Sequence, residues 1–152
     1  MTEEVSNHSD SYEHFAQTPT ELIIVRPDTD TLLRQNLPHF VGISANTTGA
    51  RGIAMYLTII PPGGIAKPHL HPEHETGIYL LKGQVEIRYG QELKQCQFCE
   101  AGDFIFTPPG VPHQPRNLSA TEPVYLLAAR NDSDEEEKIV PYNPTLEVED
   151  DG

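Results

Sequence analysis

Basic residues are scarce in this chain of 152 residues: 10 Lys and Arg stand against 23 Asp and Glu, for a formal net charge of −13. Nucleic-acid binding relies on clustered Lys and Arg to neutralise phosphates. No such cluster is present, so no nucleic-acid partner is expected, and the same deficit argues against anionic membrane surfaces. Long apolar runs are also missing. None approaches the roughly 20 residues of a membrane-spanning helix. The first residues, Met1–Phe15, are polar and acidic. They lack the basic start and apolar stretch of a signal peptide and the Arg-rich, acid-poor character of a transit peptide. A cytoplasmic protein is therefore expected. Cysteine is limited to Cys96 and Cys99, spaced Cys-x-x-Cys. Structural zinc wants two such pairs, or one pair with two spaced histidines downstream. A redox pair usually opens a helix in a βαβ context. Neither context is visible, and the two are read as ordinary reduced thiols on a strand or hairpin.

Turn formers are abundant, with 14 Pro and 11 Gly among short apolar runs. The runs are Leu22–Val25, Phe40–Ile43, Ile53–Ile60, Ile78–Leu81, Val85–Tyr89, Phe104–Phe106 and Val124–Ala129. Short strands at this spacing suggest a sandwich or barrel. Alternation is clearest over Gln84–Tyr89. Val85, Ile87 and Tyr89 share one face and Gln84, Glu86 and Arg88 the other, as in a half-buried strand. Gly90-Gln91 then reads as a hairpin turn. A short helical piece fits near Thr29–Gln35, capped by Asp28 or Thr29. Residues 1–20 read as a flexible or loosely docked arm, 21–145 as the folded barrel and 146–152 as an acidic tail. The acidic stretch around Asp132–Glu137 reads as a solvated loop.

Two clusters carry chemistry. The first runs from Gly63 to Thr76 and holds His69, His71, Glu73, His74 and Glu75. Residues two apart on a strand project to the same side, so His69 and His71 point together, as a metal requires. Imidazole suits Zn, Fe, Ni and Cu, a carboxylate adds Mn to the choice, and Glu75 can supply the oxygen. The second runs from Gly102 to Asn117 and holds Pro108, Gly110 and His113. Its Pro108–Gly110 turn reverses the chain.

This second cluster resembles the second cupin motif: a Gly, five residues, Pro-x-Gly, two residues, His, three residues, Asn. All five fixed positions match, at Gly102, Pro108, Gly110, His113 and Asn117. By ordinary residue frequencies such a match anywhere in the chain has a chance on the order of 10⁻⁴. The first cluster resembles the first cupin motif through Gly63, His69 and His71, with Glu75 at the carboxylate position. Gly83 then lies one residue too far from Glu75. Counted back from Gly83, Thr76 takes that position, and a bulge at Gly77 would be needed to bring Glu75 into phase. His74 and Glu73 are the alternative ligands, and a three-histidine site completed by water is the remaining alternative. The runs Arg34–Ile43, His74–Tyr79 and Ala129–Asp132 are similar to a subgroup of single-domain, RmlC-like cupins often described as mannose-6-phosphate-isomerase-like, over roughly residues 22–145.

The resemblance implies an all-β fold, a double-stranded β-helix or jelly-roll barrel with a short helical piece at most. It implies one divalent transition metal per chain (Zn, Mn, Fe or Ni), held by His69, His71, Glu75 and His113. It also implies a homodimer, with an edge strand near Leu22–Val25 in need of cover. Lys67, Glu73, Tyr79, Gln114 and Arg116 are candidates for substrate contacts or proton transfer, and Arg130 reads as a surface ion pair. Isomerisation of a sugar or sugar phosphate is the family-level expectation. An iron-dependent dioxygenase or a non-catalytic binding module are the alternatives.

Overall fold

The computed structural model describes residues 19–27, 39–136 and 138–145. The strands are β1 (His39–Ile43), β2 (Ala54–Ile60), β3 (His69–Leu70), β4 (Thr76–Lys82), β5 (Gln84–Tyr89), β6 (Gln95–Glu100), β7 (Phe104–Thr107), β8 (His113–Asn117), β9 (Val124–Arg130) and β10 (Val140–Pro141). They form two five-stranded antiparallel sheets, ordered β1-β2-β9-β4-β7 and β10-β3-β8-β5-β6. This is the expected all-β double-stranded β-helix.

The described helix is a single turn, α1 (Ala45–Thr48), and sequence reading missed it. Its local chemistry is clear. Ser44 caps the Thr47 amide, Thr47 reaches back to the Ser44 amide, and Gly49 closes the turn with φ 74°. Ser44 Oγ also donates to Glu135 Oε1 at 2.6 Å. Part of the acidic stretch is thus built into the fold rather than solvated. The Asp134 amide, and then Lys138 at 3.1 Å, hold the Asp132 carboxyl below the usual carboxylate range.

The helix expected near Thr29–Gln35 lies outside the described residues, as do residues 1–18 of the arm and the tail at 146–152. The edge strand expected at Leu22–Val25 is not formed. That segment is irregular, with Leu22 and Ile24 exposed. Pro27, two residues after Val25, has no N–H to donate to a ladder.

The core lies between the sheets at one end. Ile60, Leu80, Val85, Val124 and Leu126 form it, joined by Ile78, Ile87 and Cys99. Alternation places these residues. In β9 the pattern is strict, with Val124, Leu126, Ala128 and Arg130 buried and the residues between them half-buried. The β5 expectation holds in phase, since Val85 and Ile87 join the core. Glu86 departs from it: the residue is only 8% exposed, and its Oε1 accepts from Arg88 Nε at 2.9 Å. The β5–β6 hairpin turns through Gly90–Lys94, longer than the tight turn expected, with Glu92 and Leu93 at positive φ. Cys96 and Cys99 stand three apart on β6, on opposite faces, and are free.

Gly83 joins β4 to β5 at φ 90°, where a Cβ would meet Val124 Cγ2 at 2.9 Å and the Pro123 carbonyl at 3.0 Å. Both obstacles are fixed parts of the fold. Gly83→Ala is expected to destabilise the chain by about 3 kcal/mol, lowering Tm by about 6–12 °C in thermal unfolding.

Candidate metal centre

β3, the loop after it and the start of β8 bring three imidazoles together. His69 lies directly opposite His113 in the β3–β8 ladder. His71 follows two residues after His69, where the chain leaves β3, and Gly110 N ties down its carbonyl at 2.7 Å. The ligand nitrogens of His69, His71 and His113 all lie within 4.8 Å of one another. Ring centroids are 4.4 Å apart for His69–His113, 5.3 Å for His69–His71 and 5.4 Å for His71–His113.

Hydrogen bonds orient two of the rings. His69 Nδ1 contacts the Lys67 carbonyl at 2.7 Å, and His113 Nδ1 contacts the Val111 carbonyl at 2.9 Å. A carbonyl oxygen only accepts, so each Nδ1 carries the proton and each Nε2 keeps its lone pair. This is the backing that metal-bound histidines need. His71 is 5% exposed, and its Nδ1 has no hydrogen-bond partner. Its pKa is lowered from 6.5 to about 3, first by burial and then by His113, His69, His74 and Arg130 nearby. It is therefore neutral at physiological pH and ready to give a lone pair. The donor set fits a divalent transition metal.

The low His71 pKa has a consequence for acid stability. The folded state takes up its proton near pH 3, the unfolded chain near 6.5. Between those values the unfolded state binds more protons, so stability falls as pH drops from about 6.5 towards 3. Denaturant melts of metal-free protein across that window are expected to show this loss. His71→Gln, which cannot titrate there, is expected to flatten it.

The other candidates do not join the group. Glu75 is exposed, before β4 begins, and its amide donates to Asn131 Oδ1 at 2.9 Å. The reason is one of phase. Gly77 pairs regularly with Phe106 and Ala129, and the register shift in β4 comes later, between Leu80 and Lys82. Thr76 therefore faces inward in the position counted back from Gly83, and it is 3% exposed. His74 is buried with its ring 4.6 Å from His71, outside the three-histidine group, and Glu73 is exposed. Lys67 and Arg116 are exposed. Gln114 lies on the face of β8 opposite to His113, and its Nε2 donates to the Ala66 carbonyl at 3.0 Å. Tyr79 points away from the core, its ring 4.8 Å from that of exposed Phe104.

Arg130 is a correction. Read as a surface ion pair, it is 3% exposed on the inner face of β9, opposite Ala54 and Thr76, with its guanidinium 5.2 Å from the Tyr56 ring centre. One of its nitrogens donates to the Asp134 carbonyl. The strict alternation of β9 was the available signal. Tyr56, buried on β2 and 4.6 Å from the His39 ring, was also missed. So was Tyr89, directly opposite His113 across the β5–β8 ladder. The barrel thus has an apolar half around Leu80 and Val124 and a polar half around His71, Thr76 and Arg130.

Comparison with known proteins agrees with the fold. Residues 56–130 match the family model described as cupin domain. A germin-like protein of rice (Oryza sativa subsp. japonica) is 27% identical over 96 residues, covering 62% of this chain and 43% of that protein. The chain thus spans less than half the length of this relative. Among solved structures, a conserved protein of Klebsiella pneumoniae with a double-stranded β-helix domain aligns over 79% of this chain and 91% of its own, at 18% identity and a TM-score of 0.60. A variant of Bacillus subtilis oxalate decarboxylase aligns over 73% of this chain and 29% of its own, at 20% identity and a TM-score of 0.62. These two likenesses concern the fold alone. Among the described residues no helix is long and apolar enough to cross a membrane. Residues 56–130 are thus similar to a cupin domain, and the two-sheet fold is that of a double-stranded β-helix.

Proposed function

We propose that this protein is a metal-dependent enzyme acting on a small polar metabolite, with one divalent transition metal per chain (Zn, Mn, Fe or Ni) held by His69, His71 and His113. One observation carries the reading: three imidazoles converge, two of them oriented through Nδ1 by backbone carbonyls. A bound metal would act as a Lewis acid on a substrate carbonyl or on paired oxygens. As bound ligands three imidazoles would cancel none of the ion's charge, and Arg130 adds a positive charge close enough to lower the His71 pKa. That charge balance supports an anionic substrate. The preferred reaction is isomerase-type chemistry on a sugar phosphate, for which a bound metal would supply Lewis acidity at the carbonyl and Thr76, inward and buried, would offer its hydroxyl to a substrate oxygen.

A second reading, an iron-dependent dioxygenase, draws support from the all-nitrogen donor set, which suits iron as well as zinc. Protein loaded separately with Zn, Mn, Fe(II) or Ni distinguishes the two in assays of aldose–ketose phosphate interconversion and of oxygen uptake. Interconversion with Zn or Mn and no oxygen uptake is the expected result. Oxygen uptake with Fe(II) alone selects the second reading. A metal that stabilises the fold while no loaded form turns over makes the chain a binding module.

A further inference from the structure

β3 carries His69 and is only two residues long. Its ladder with β8 is the single pair of His69 and His113. Its other side is covered by β10, which sets Pro141 opposite His69 and Val140 opposite Leu70. The register continues one residue further, where the Tyr142 amide donates to the Pro68 carbonyl at 3.0 Å. That carbonyl belongs to the peptide unit that enters His69. The carbonyl before it, on Lys67, is the one that orients the His69 ring. Because the Tyr142 N–H faces β3, the nitrogen of Pro141 faces away, and proline there leaves no donor on the outer edge.

Tyr142 makes a second tie through its side chain. Its hydroxyl accepts from the Glu92 amide at 2.8 Å, and Thr145 Oγ1 donates to Glu92 Oε2 at 2.8 Å. Glu92 and Leu93 hold φ of 57° and 51°, a left-handed conformation that side chains disfavour and that surrounding contacts must impose. The same turn is fastened to the second ligand strand. The Gly90 amide donates to the carbonyl of Pro112, the residue before His113, at 2.9 Å. One residue thus links the approach to His69 with a turn anchored at the approach to His113. Yet no residue of 138–145 is buried, and Ile139 and Val140 are 40% and 44% exposed. Hydrogen bonds and the Lys138–Asp132 ion pair hold the segment, without apolar burial, so it opens at little cost.

We propose that residues 138–145 are a detachable strap, and that Tyr142 is a positioning residue that sets His69 for the metal. This rests on the metal-centre reading above. With the strap docked, the Pro68–His69 peptide is fixed and with it the direction of the imidazole. With the strap released, β3 keeps only its pair with β8, and the His69 ring loses its alignment. Metal binding needs the three rings converged, so docking and metal binding favour one another by the same factor.

Zinc titration against a competing chelator, on the full chain and on Tyr142→Phe, tests this. The variant is expected to bind zinc about fivefold more weakly or worse, the size of one lost hydrogen bond. A merely structural role would lower the melting temperature of the metal-free protein and leave zinc affinity alone, so equal affinities overturn the proposal. Should the variant misfold, hydrogen exchange of wild type decides. Zinc is expected to slow exchange of the Tyr142 amide by at least about fivefold, and an unchanged rate overturns the strap. If wild type binds no zinc, the fault lies with the metal-centre reading, and the His69 tautomer of the metal-free protein judges the strap. Nitrogen NMR at about pH 8 is expected to show the Nδ1–H form dominant in wild type and the Nε2–H form gaining in Tyr142→Phe. An identical tautomer ratio in the two proteins overturns the proposal.

Discussion

His113→Ala is expected to abolish stoichiometric metal binding, while wild type purified without a metal-affinity tag carries about one ion per chain. The argument is geometric. His113 faces His69 across the ladder, and its Nδ1–H is spent on the Val111 carbonyl, which leaves Nε2 for the ion. With three protein donors there is no spare. Losing the backing of a ligand already costs about 10–100-fold in metal affinity, and losing the ligand itself is expected to exceed that. Glu75→Ala separates this geometry from the motif reading. Glu75 is exposed and outside the cluster, so the variant is expected to keep its metal. Elemental analysis of both proteins checks the pair of outcomes. Metal lost in Glu75→Ala and retained in His113→Ala would sink the assignment.

Asn117→Ala is expected to be among the most destabilising single changes in the chain, at about 4 kcal/mol, without touching a metal ligand. Asn117 is 1% exposed. Its Nδ2 reaches the carbonyls of Ile60, Pro61 and Glu122 at 3.1, 3.1 and 2.8 Å, so one of its two hydrogens is shared. Its Oδ1 accepts from the Ser119 amide at 2.9 Å. One side chain thus ties the end of β2 to the turn between β8 and β9. Alanine would strand several buried backbone groups at once, and an unmade buried hydrogen bond costs about 1–3 kcal/mol. Urea melts would read the loss directly, with metal content per folded chain unchanged.

These two variants divide the second motif by role. Sequence spacing picks out Gly102, Pro108, Gly110, His113 and Asn117 alike. In the structure His113 presents a lone pair, Asn117 knots loops, and Gly110 turns the chain at φ 75° while its amide holds the His71 carbonyl. A spacing rule records that all are needed together, and only their contacts say for what.

The sequence by itself determined the positions of six strands (β1, β2, β4, β5, β7 and β9), the all-β class, the inward phase of Val85 and Ile87, and the approach of His69, His71 and His113. Those follow from local rules: alternation with period two, turns at Gly and Pro, and a motif whose spacing is set by strand length. Tertiary structure alone decided the carboxylate question and the setting of Arg130. Whether Glu75 or Thr76 faces inward depends on where β4 shifts register, and that is fixed by pairing with β7 and β9 rather than by any residue near Glu75. Arg130 ends an alternating strand whose last inward position falls beside the histidines, so a residue that composition alone would place in water lies buried in the barrel. A one-residue slip exchanges the faces of a strand, and the energy that forbids it comes from partners 31 and 54 residues away, Thr107 and Arg130, which flank Thr76 in the sheet.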